Sequence, residues 1–448
     1  MHYDTSETSI ANVKERSDGL CVMNKIINPV KNQKYMKPEL ISPAGDWISL
    51  RAAISSGADA VFFGIKEMNL RELAKNFRIE EIKKVISLCH KNKIKVYLTL
   101  NAIIFENEIP KLREILKKAK SSGIDAIIAW DFSVLKIANE LNIPIHISTQ
   151  ASISNYDAIK FLKKTLKNLK CVVLARELSL EQIKNIIQKI KKDYLNVEIE
   201  VFVHGAMCIS ISGRCFMSHH IFKKSANRGE CLQPCRRKYI ISEKEDNYEL
   251  ELGEDYIMSP KDLCALPFID KLIDSGISKF KIEGRNRSPE YVKTITKCYR
   301  TAIDLAEKKQ FTKKEADRLT EKLRTVYNRD FSSGFYWGIP NGEDFADSYG
   351  SNATTRKVYA GIVKNFFKKI SVAEIKLESE GIKTGDKIQI QGPTTGIIEQ
   401  EIKSIQINNT LSSKAEKGNL VGIKTNGIVR KNDRVYLIEE IRKSSNED

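Results

Sequence analysis

The chain has 448 residues, 42% of them hydrophobic, which is enough for two or three domains with ordinary cores. No apolar run reaches bilayer-spanning length, and residues 1–20 carry acids without a continuous apolar stretch, so neither a membrane span nor a secretory leader is expected; the expectation is a cytoplasmic protein with reduced thiols. The formal net charge of +17 is high for a metabolic enzyme and points to a polyanionic partner such as RNA, the plainer reading being a lysine-rich composition whose charges only solvate helix faces.

Residues 1–37 show no clear periodicity and are expected to form a disordered or weakly ordered tail. Short β-branched or apolar runs then recur: Pro38 to Ser42, Ala60 to Gly64, Lys95 to Asn101, Ala126 to Trp130, Pro144 to Gln150, Cys171 to Glu177, Glu198 to His204 and Lys279 to Glu283. Amphipathic helical stretches such as Ile79 to Asn92 and Ile109 to Gly123 lie between them and end in turn residues. Eight alternations of strand and helix predict an α/β fold, a (β/α)8 TIM-type barrel over residues 38–345, in preference to an open doubly wound sheet. A cysteine-rich insertion, about residues 205–262, interrupts the rhythm between strands seven and eight, and its segment SEKEDNYELELGEDYIMSP reads as a hairpin on the catalytic face. Two helical stretches follow strand eight, Pro289 to Lys308 and Lys313 to Tyr327. After a linker, residues 355–448 alternate in short runs with turn signals and read as a small all-β barrel.

In barrels of this kind the active site forms at the C-terminal strand ends, so the residues closing each run are candidates. Asn101, Gln150, Arg176, Glu177, His204, Glu283 and Arg285 stand there, with His146 inside or near the end of its strand. For each, the plainer role is a helix cap or a loop hydrogen bond, and this is the better account of Ser42 and Asp131. His146 suits a satisfied core histidine as well as a ligand-binding one. The charged groups Arg176, Glu177, Glu283 and Arg285 are costly at strand ends unless paired with each other or used on a substrate.

Cys208, Cys215, Cys231 and Cys235 lie between His204 and Tyr239, and Cys264 follows a short way beyond, where MSPKDLCALPFID reads as the start of the helix before strand eight. Thiols this dense in a reducing compartment usually bind metal. Only Cys231 and Cys235 fit a zinc knuckle, whereas the wide spacing from Cys208 to Cys215 around Gly213 favours four thiolates wrapping an iron–sulfur cube; zinc and unligated thiols remain alternatives. Six basic residues flank the cysteines, among them Arg236, Arg237 and Lys238, candidate RNA contacts, against the single acid Glu230. Cys21, Cys89, Cys171 and Cys298 read as small hydrophobes.

The stretches EVFVHGAMCISISGRCFMS and NRGECLQPCRRKY, with ELISPAGD, GADAVFFG, NLRELAKNF (Asn69 to Phe77), HISTQASISN, VVLAREL, SPKDLC and KIEGRNRSPEYV, resemble the peptidase U32 family, historically the collagenase-like proteases. The resemblance covers nearly everything after Lys37. It implies an RNA hydroxylase, most similar to the branch that hydroxylates C5 of the tRNA wobble uridine with prephenate and a 4Fe–4S cluster instead of molecular oxygen. An rRNA cytidine hydroxylase and a ubiquinone-hydroxylating pair are relatives, so rRNA as substrate and a homologous partner subunit are also implied. Cluster ligands are implied at Cys208, Cys215 and Cys231, with the fourth at Cys235 or at Cys264 depending on the branch. The expected roles are then His204, Glu177 and Glu283 in catalysis, Arg176 and Arg285 gripping a small carboxylate co-substrate, and Gln150, Asn101 and His146 in substrate binding.

Two other readings remain. A peptidase needs a nucleophile with a positioned base or an H-E-x-x-H helix, and the six histidines form no such pattern; His219 and His220 are merely adjacent in a loop. A non-catalytic RNA-binding protein with a structural metal is the other, and the C-terminal barrel, similar to those of translation factors, suits tRNA docking by fold analogy alone.

Overall fold

The computed structural model describes residues 37–239, 258–346 and 350–441. The expected tail, apart from its last residue, and most of the expected hairpin, residues 242–257, lie outside the described residues.

Eight parallel strands close into a barrel: β1 (Glu39–Ala44), β2 (Ala60–Gly64), β3 (Lys95–Thr99), β4 (Ala126–Ala129), β5 (Ile145–Ile147), β6 (Leu169–Val173), β7 (Glu198–Ala206) and, after the cysteine segment, β9 (Lys279–Ile282), which pairs with both β7 and β1. Helices α1 (Trp47–Ser55), α2 (Ile82–Lys91), α3 (Ile109–Ser121), α4 (Phe132–Glu140), α5 (Tyr156–Thr165) and α6 (Leu180–Lys192) connect the first seven. Each is amphipathic, and apolar faces such as Leu112, Ile115, Leu116 and Ala119 of α3 are fully buried against the strands. Several strands stop two to four residues before the apolar runs do. The chain there leaves the ladder to build the wall of the mouth, so β-forming residues continue into loop.

Beyond the cysteine segment and its short helix α7 (Met217–Phe222), β8 (Asp262–Cys264) runs antiparallel to β7. Cys264 therefore sits in a strand where the sequence predicts a helix start; the helix α8 begins only at Ile269 and runs to Asp274. The strand is fixed by a buried ion pair between Asp262 and Arg329, and by parallel pairing with β10 (Phe331–Ser332). Helices α9 (Pro289–Glu307) and α10 (Lys313–Arg324) complete the outer layer.

The barrel interior is polar in two layers. Glu39, Tyr97 and Lys279 fill the N-terminal end, with Lys279 Nζ 2.8 Å from Glu39 and Lys95 bonding the same carboxylate at 2.7 Å. Above them Lys281 Nζ lies 2.7 Å from the fully buried Glu200, which has His146 Nδ1 at 3.6 Å. Burial raises the Glu200 carboxyl, but Lys281 and His146 outweigh it and pull it down to about 2.

The register of β7 against β9 shifts between Phe202 and His204, so one extra residue, Val203, bulges from the ladder. Glu200 and Phe202 face inward, as period-two alternation requires, but the bulge turns His204 outward onto α9.

The C-terminal region is an antiparallel eight-stranded sheet wrapping one apolar core. Its strands, in spatial order, are β15 (Gly396–Glu401), β14 (Lys387–Gly392), β20 (Arg434–Glu440), β11 (Thr355–Phe367), β12 (Val372–Leu377), β19 (Leu420–Lys424), β16 (Ile405–Ile407) and β17 (Thr410–Ser412). Two further short strands, β13 (Ile382–Lys383) and β18 (Lys414–Ala415), pair with each other alone. Among the described residues no ladder joins β15 to β17, so the expected small barrel is an all-β sheet not closed by hydrogen bonds. It sits against α1 and α9: Arg51 donates to the Pro393 carbonyl at 2.8 Å, and Lys293 and Lys357 pair with Glu399 and Glu290 at 3.0 and 3.1 Å.

Replacing Lys281 with Met should cost about 3–5 kcal/mol in denaturant unfolding, because Glu200 is left buried and unpaired, whereas Lys281→Met combined with Glu200→Leu should recover most of that loss. Equal losses in the two variants would contradict this account.

Candidate active site

The strand ends converge on a cavity of about 50 Å³ whose charged lining is Arg71, Arg176, Lys281, Glu283 and Arg285. Arg71, in the loop after β2, reaches Glu283 at 3.3 Å through both Nε and Nη2. Arg176 donates to the Ala206 carbonyl at 2.8 Å and stacks its guanidinium 3.8 Å from the Phe202 ring centroid. Arg285 is buried and donates to Asn69 Oδ1 at 3.0 Å. Burial raises the Glu283 carboxyl, but Arg71, Arg176, Arg285 and Lys281 together hold it below the usual carboxylate range. It is therefore an ionised acceptor and unsuited to donate a proton. The Arg285 guanidinium is pushed down to about 9, first by burial and then by Arg71, and burial also lowers Arg176. Four cations face two buried carboxylates, Glu283 and Glu200, so the pocket carries two positive charges in excess. A dianion such as a dicarboxylate balances it.

A second cavity of about 210 Å³ shares Leu70, Arg71, Thr149, Gln150 and Arg176 with the first and is roofed by Cys208, Cys215, Cys231 and Cys235. The roof is tied down at several points. Arg228 grips Glu108 with both terminal nitrogens, 2.9 and 2.6 Å, and lies over the Phe105 ring. Gly229, at φ +96°, packs so closely that an added Cβ would stand 2.4 Å from the Asn69 carbonyl. Glu177 accepts from the Ser212 amide at 3.2 Å. Burial raises the Cys235 thiol, and Cys208, Cys231 and Cys215 raise it further against the opposing effect of Arg236. These four thiols thus share one electrostatic environment, and Arg71 feels both Cys231 and Cys208 as well as Glu283.

The four cysteines line one cavity and could together hold a metal centre. Among the described residues, the one group of three ligands within 4.8 Å of each other is the buried His146, Cys171 and Glu200, not any trio of the four cysteines.

The other candidates distribute unevenly. Asn101 and Gln150 do line the mouth, joined by a 3.0 Å hydrogen bond in which Gln150 accepts; Ser148 also donates to that oxygen. Glu177 lines the thiol cavity but not the inner one. His146 lies in the interior layer with Glu200 and lines neither cavity. His204 is not at the mouth either: it is buried among Tyr291, Tyr299 and Phe331, with Nδ1 3.3 Å from the Tyr299 hydroxyl. Cys264 is buried beside the same tyrosine, Sγ at 3.9 Å, outside the thiol cavity, and burial pushes its thiol up to about 11. Arg236 is occupied by the Ser259 hydroxyl and the carbonyls of Pro260 and Met207, which makes it a strut of the roof, whereas Arg237 and Lys238 are exposed. Asp131 caps α4, and Ser42 bonds Thr296 on α9. Strand-end reasoning missed Arg71, which sits seven residues past Gly64, and Lys281, whose place on the inward face two residues before Glu283 was the available signal.

A closed (β/α)8 barrel with an arginine-rich mouth beneath four thiols defines an enzyme-type site at the usual end of this fold. Residues 45–345 match peptidase family U32, and the chain belongs to that family. It is 45% identical over 412 residues to a protein of Methanocaldococcus jannaschii called an uncharacterized protease, covering 90% of this chain and 98% of that one. A Porphyromonas gingivalis collagenase is 40% identical, with 90% and 98% covered. The tRNA hydroxylation protein P1 of Bacillus subtilis is 35% identical, with 84% and 89% covered.

His204 titrates with a defined sign. Burial is the main cause that pushes it down to about 4 from an ordinary 6.5, so the native protein holds it neutral while the unfolded chain takes up a proton first. Stability should therefore fall as pH drops from about 6.5 towards about 4, by on the order of 3 kcal/mol, with no further loss from this group below that window. Denaturant melts across the window should show a smaller loss for His204→Gln than for the wild type; equal losses would mean the group does not titrate as assigned.

Proposed function

We propose that this chain hydroxylates RNA, adding oxygen at C5 of the tRNA wobble uridine without molecular oxygen, with prephenate as the hydroxyl source. The observation that carries the reading is the two-charge excess of cations lining the pocket beneath a four-thiol roof. Prephenate is a dicarboxylate, and the name of the Bacillus subtilis relative supports RNA hydroxylation within the family. Cys208, Cys215, Cys231 and Cys235 would hold a 4Fe–4S cluster, Cys235 being favoured over Cys264 because it lines the same cavity as the other three. Bound there, the cluster would supply a redox-active, Lewis-acidic iron at the top of the pocket.

The protein's own groups do the positioning. Arg176 and Arg285 grip carboxylates from two sides of the cavity, and their planar guanidiniums favour bidentate pairing. Arg71 spans from Glu283 towards the cysteines and links the co-substrate to the roof. With the Gln150 oxygen taken by Asn101 and Ser148, the Gln150 amide nitrogen is left to face the lobe at Gly213 and to donate to substrate. Arg228 and Gly229 tie the lobe to the barrel and fix the cysteines above the mouth. The target base, unstacked from an RNA loop, would enter beside Arg71 and Gln150. For the alternative held in the names of the protease relatives, neither His146 nor His204 is placed to serve as a base at the mouth, since both are buried away from it.

Nucleoside mass spectrometry of tRNA from a deletion strain should show loss of 5-hydroxyuridine-derived nucleosides, restored by the wild type but not by Arg176→Ala or Arg285→Ala. Unchanged nucleosides in the deletion strain would overturn the reading. Protein purified without oxygen should carry about four iron and four sulfide per chain. Cys235→Ser should lose most of this and Cys264→Ser keep it; the reverse pattern would move the fourth ligand to Cys264.

A further inference from the structure

Hydroxylating a base within a polymer requires somewhere for the rest of the strand to lie. A groove of about 830 Å³, within the usual range for a bound ligand, runs between the barrel mouth and the C-terminal sheet. The loop after β2 supplies Leu73 and Lys75, the loop after β9 supplies Asn286 and Arg287, and the sheet supplies Lys357, Arg434 and Tyr436. With Arg285, five cationic side chains line the groove against one acid, Asp46. Asp46 takes Lys75 at 2.9 Å, and Glu290 behind the wall takes Lys357 at 3.1 Å. Arg287 lies flat on Tyr327, 3.6 Å from the ring centroid, and Arg434 is exposed. Tyr436 is half-buried and held edge to face by Tyr359 at 5.7 Å, a fixed ring at the groove wall.

The groove is continuous with the site. Arg285 lines both it and the inner cavity, while Leu73 and Asn286 line both it and the thiol cavity. Leu73 is 57% exposed, an apolar side chain at the junction where an unstacked base would pass. A cationic trench with an aromatic wall is the arrangement that tracks a flexible phosphodiester strand.

We propose that this interdomain groove binds the phosphodiester backbone of the single-stranded RNA segment next to the target base, with Lys75, Arg287 and Arg434 on phosphates. The inference rests on the RNA-hydroxylase reading and adds the path of the strand, which makes the C-terminal sheet one wall of the substrate site.

The test uses the full-length protein purified without oxygen and a fluorescein-labelled RNA stem-loop with a single-stranded loop, followed by anisotropy over a range of salt. Lys75→Glu combined with Arg434→Glu changes two exposed side chains outside the mouth. It should weaken binding about tenfold or more and lower the salt slope by about 0.7 for each phosphate no longer neutralised, with the melting curve and visible spectrum of the wild type retained. Lys75→Arg with Arg434→Lys should keep wild-type affinity. Wild-type affinity and slope in the charge-reversed variant would overturn the groove assignment and leave the RNA reading standing. No RNA binding by the wild type would bring down both. Displacement of the RNA by polyglutamate of equal charge, as effective as by unlabelled stem-loop, would overturn the assignment in favour of an acidic-protein surface.

Discussion

The hydrogen bond from the Glu283 amide to the His204 carbonyl, 2.8 Å, closes the barrel just above the bulge at Val203, and the site depends on that closure. Below it, β7 and β9 are in a register that pairs Lys281 with Phe202 and Lys279 with Glu200, from which Lys281 Nζ reaches back to Glu200 at 2.7 Å. Above it, Gly205 at φ +107° passes so close to the Glu283 carbonyl that a Cβ would stand 2.6 Å away, and the chain turns out of the parallel ladder to pair with β8. That exit launches the cysteine lobe over the mouth. One inserted residue thus sets which side chains fill the interior, where Glu283 stands, and from which edge the roof departs.

The same bulge explains what the sequence could and could not reveal. Strand–helix alternation made the barrel legible, because the apolar faces of α2 to α6 and the buried strands obey simple periods. Period two also extends from Glu200 through Phe202 to His204, which places the histidine inside; a bulge leaves no mark in a single sequence, and the histidine is outside. Cys264 was ambiguous for a related reason, since a three-residue strand held by Asp262 and Arg329 has no periodicity to read. Arg176, Glu283, Arg285, Asn101 and Gln150 were legible as strand-end residues, whereas Arg71 lies in a loop whose course is set by tertiary contacts. Arg236 shows the limit of counting charges: a basic residue in a basic run turned out to hold backbone carbonyls.

Electrostatics at the mouth favours preorganisation over stability. Four cations with two carboxylates in a buried volume repel one another, and the protein holds them by fixing each guanidinium separately: Arg176 on Phe202 and Ala206, Arg285 on Asn69, Arg71 on Glu283. A dianionic ligand meets donors already oriented, so little of its binding free energy is consumed in ordering them. Removal of any one arginine would lower this repulsion, so melting temperature alone is a poor measure of what each contributes.

The ring of Glu39, Tyr97 and Lys279, with Lys95 beside it, stoppers the far end of the barrel. A chamber stoppered at that end is entered from the mouth, where Arg285 lines both it and the interdomain groove. On the proposed function, a small co-substrate would have to enter before a polymer lies across the entrance and its spent form to leave after the polymer lifts. Turnover would then follow a compulsory order, small molecule first in and last out, imposed by the plumbing of the barrel.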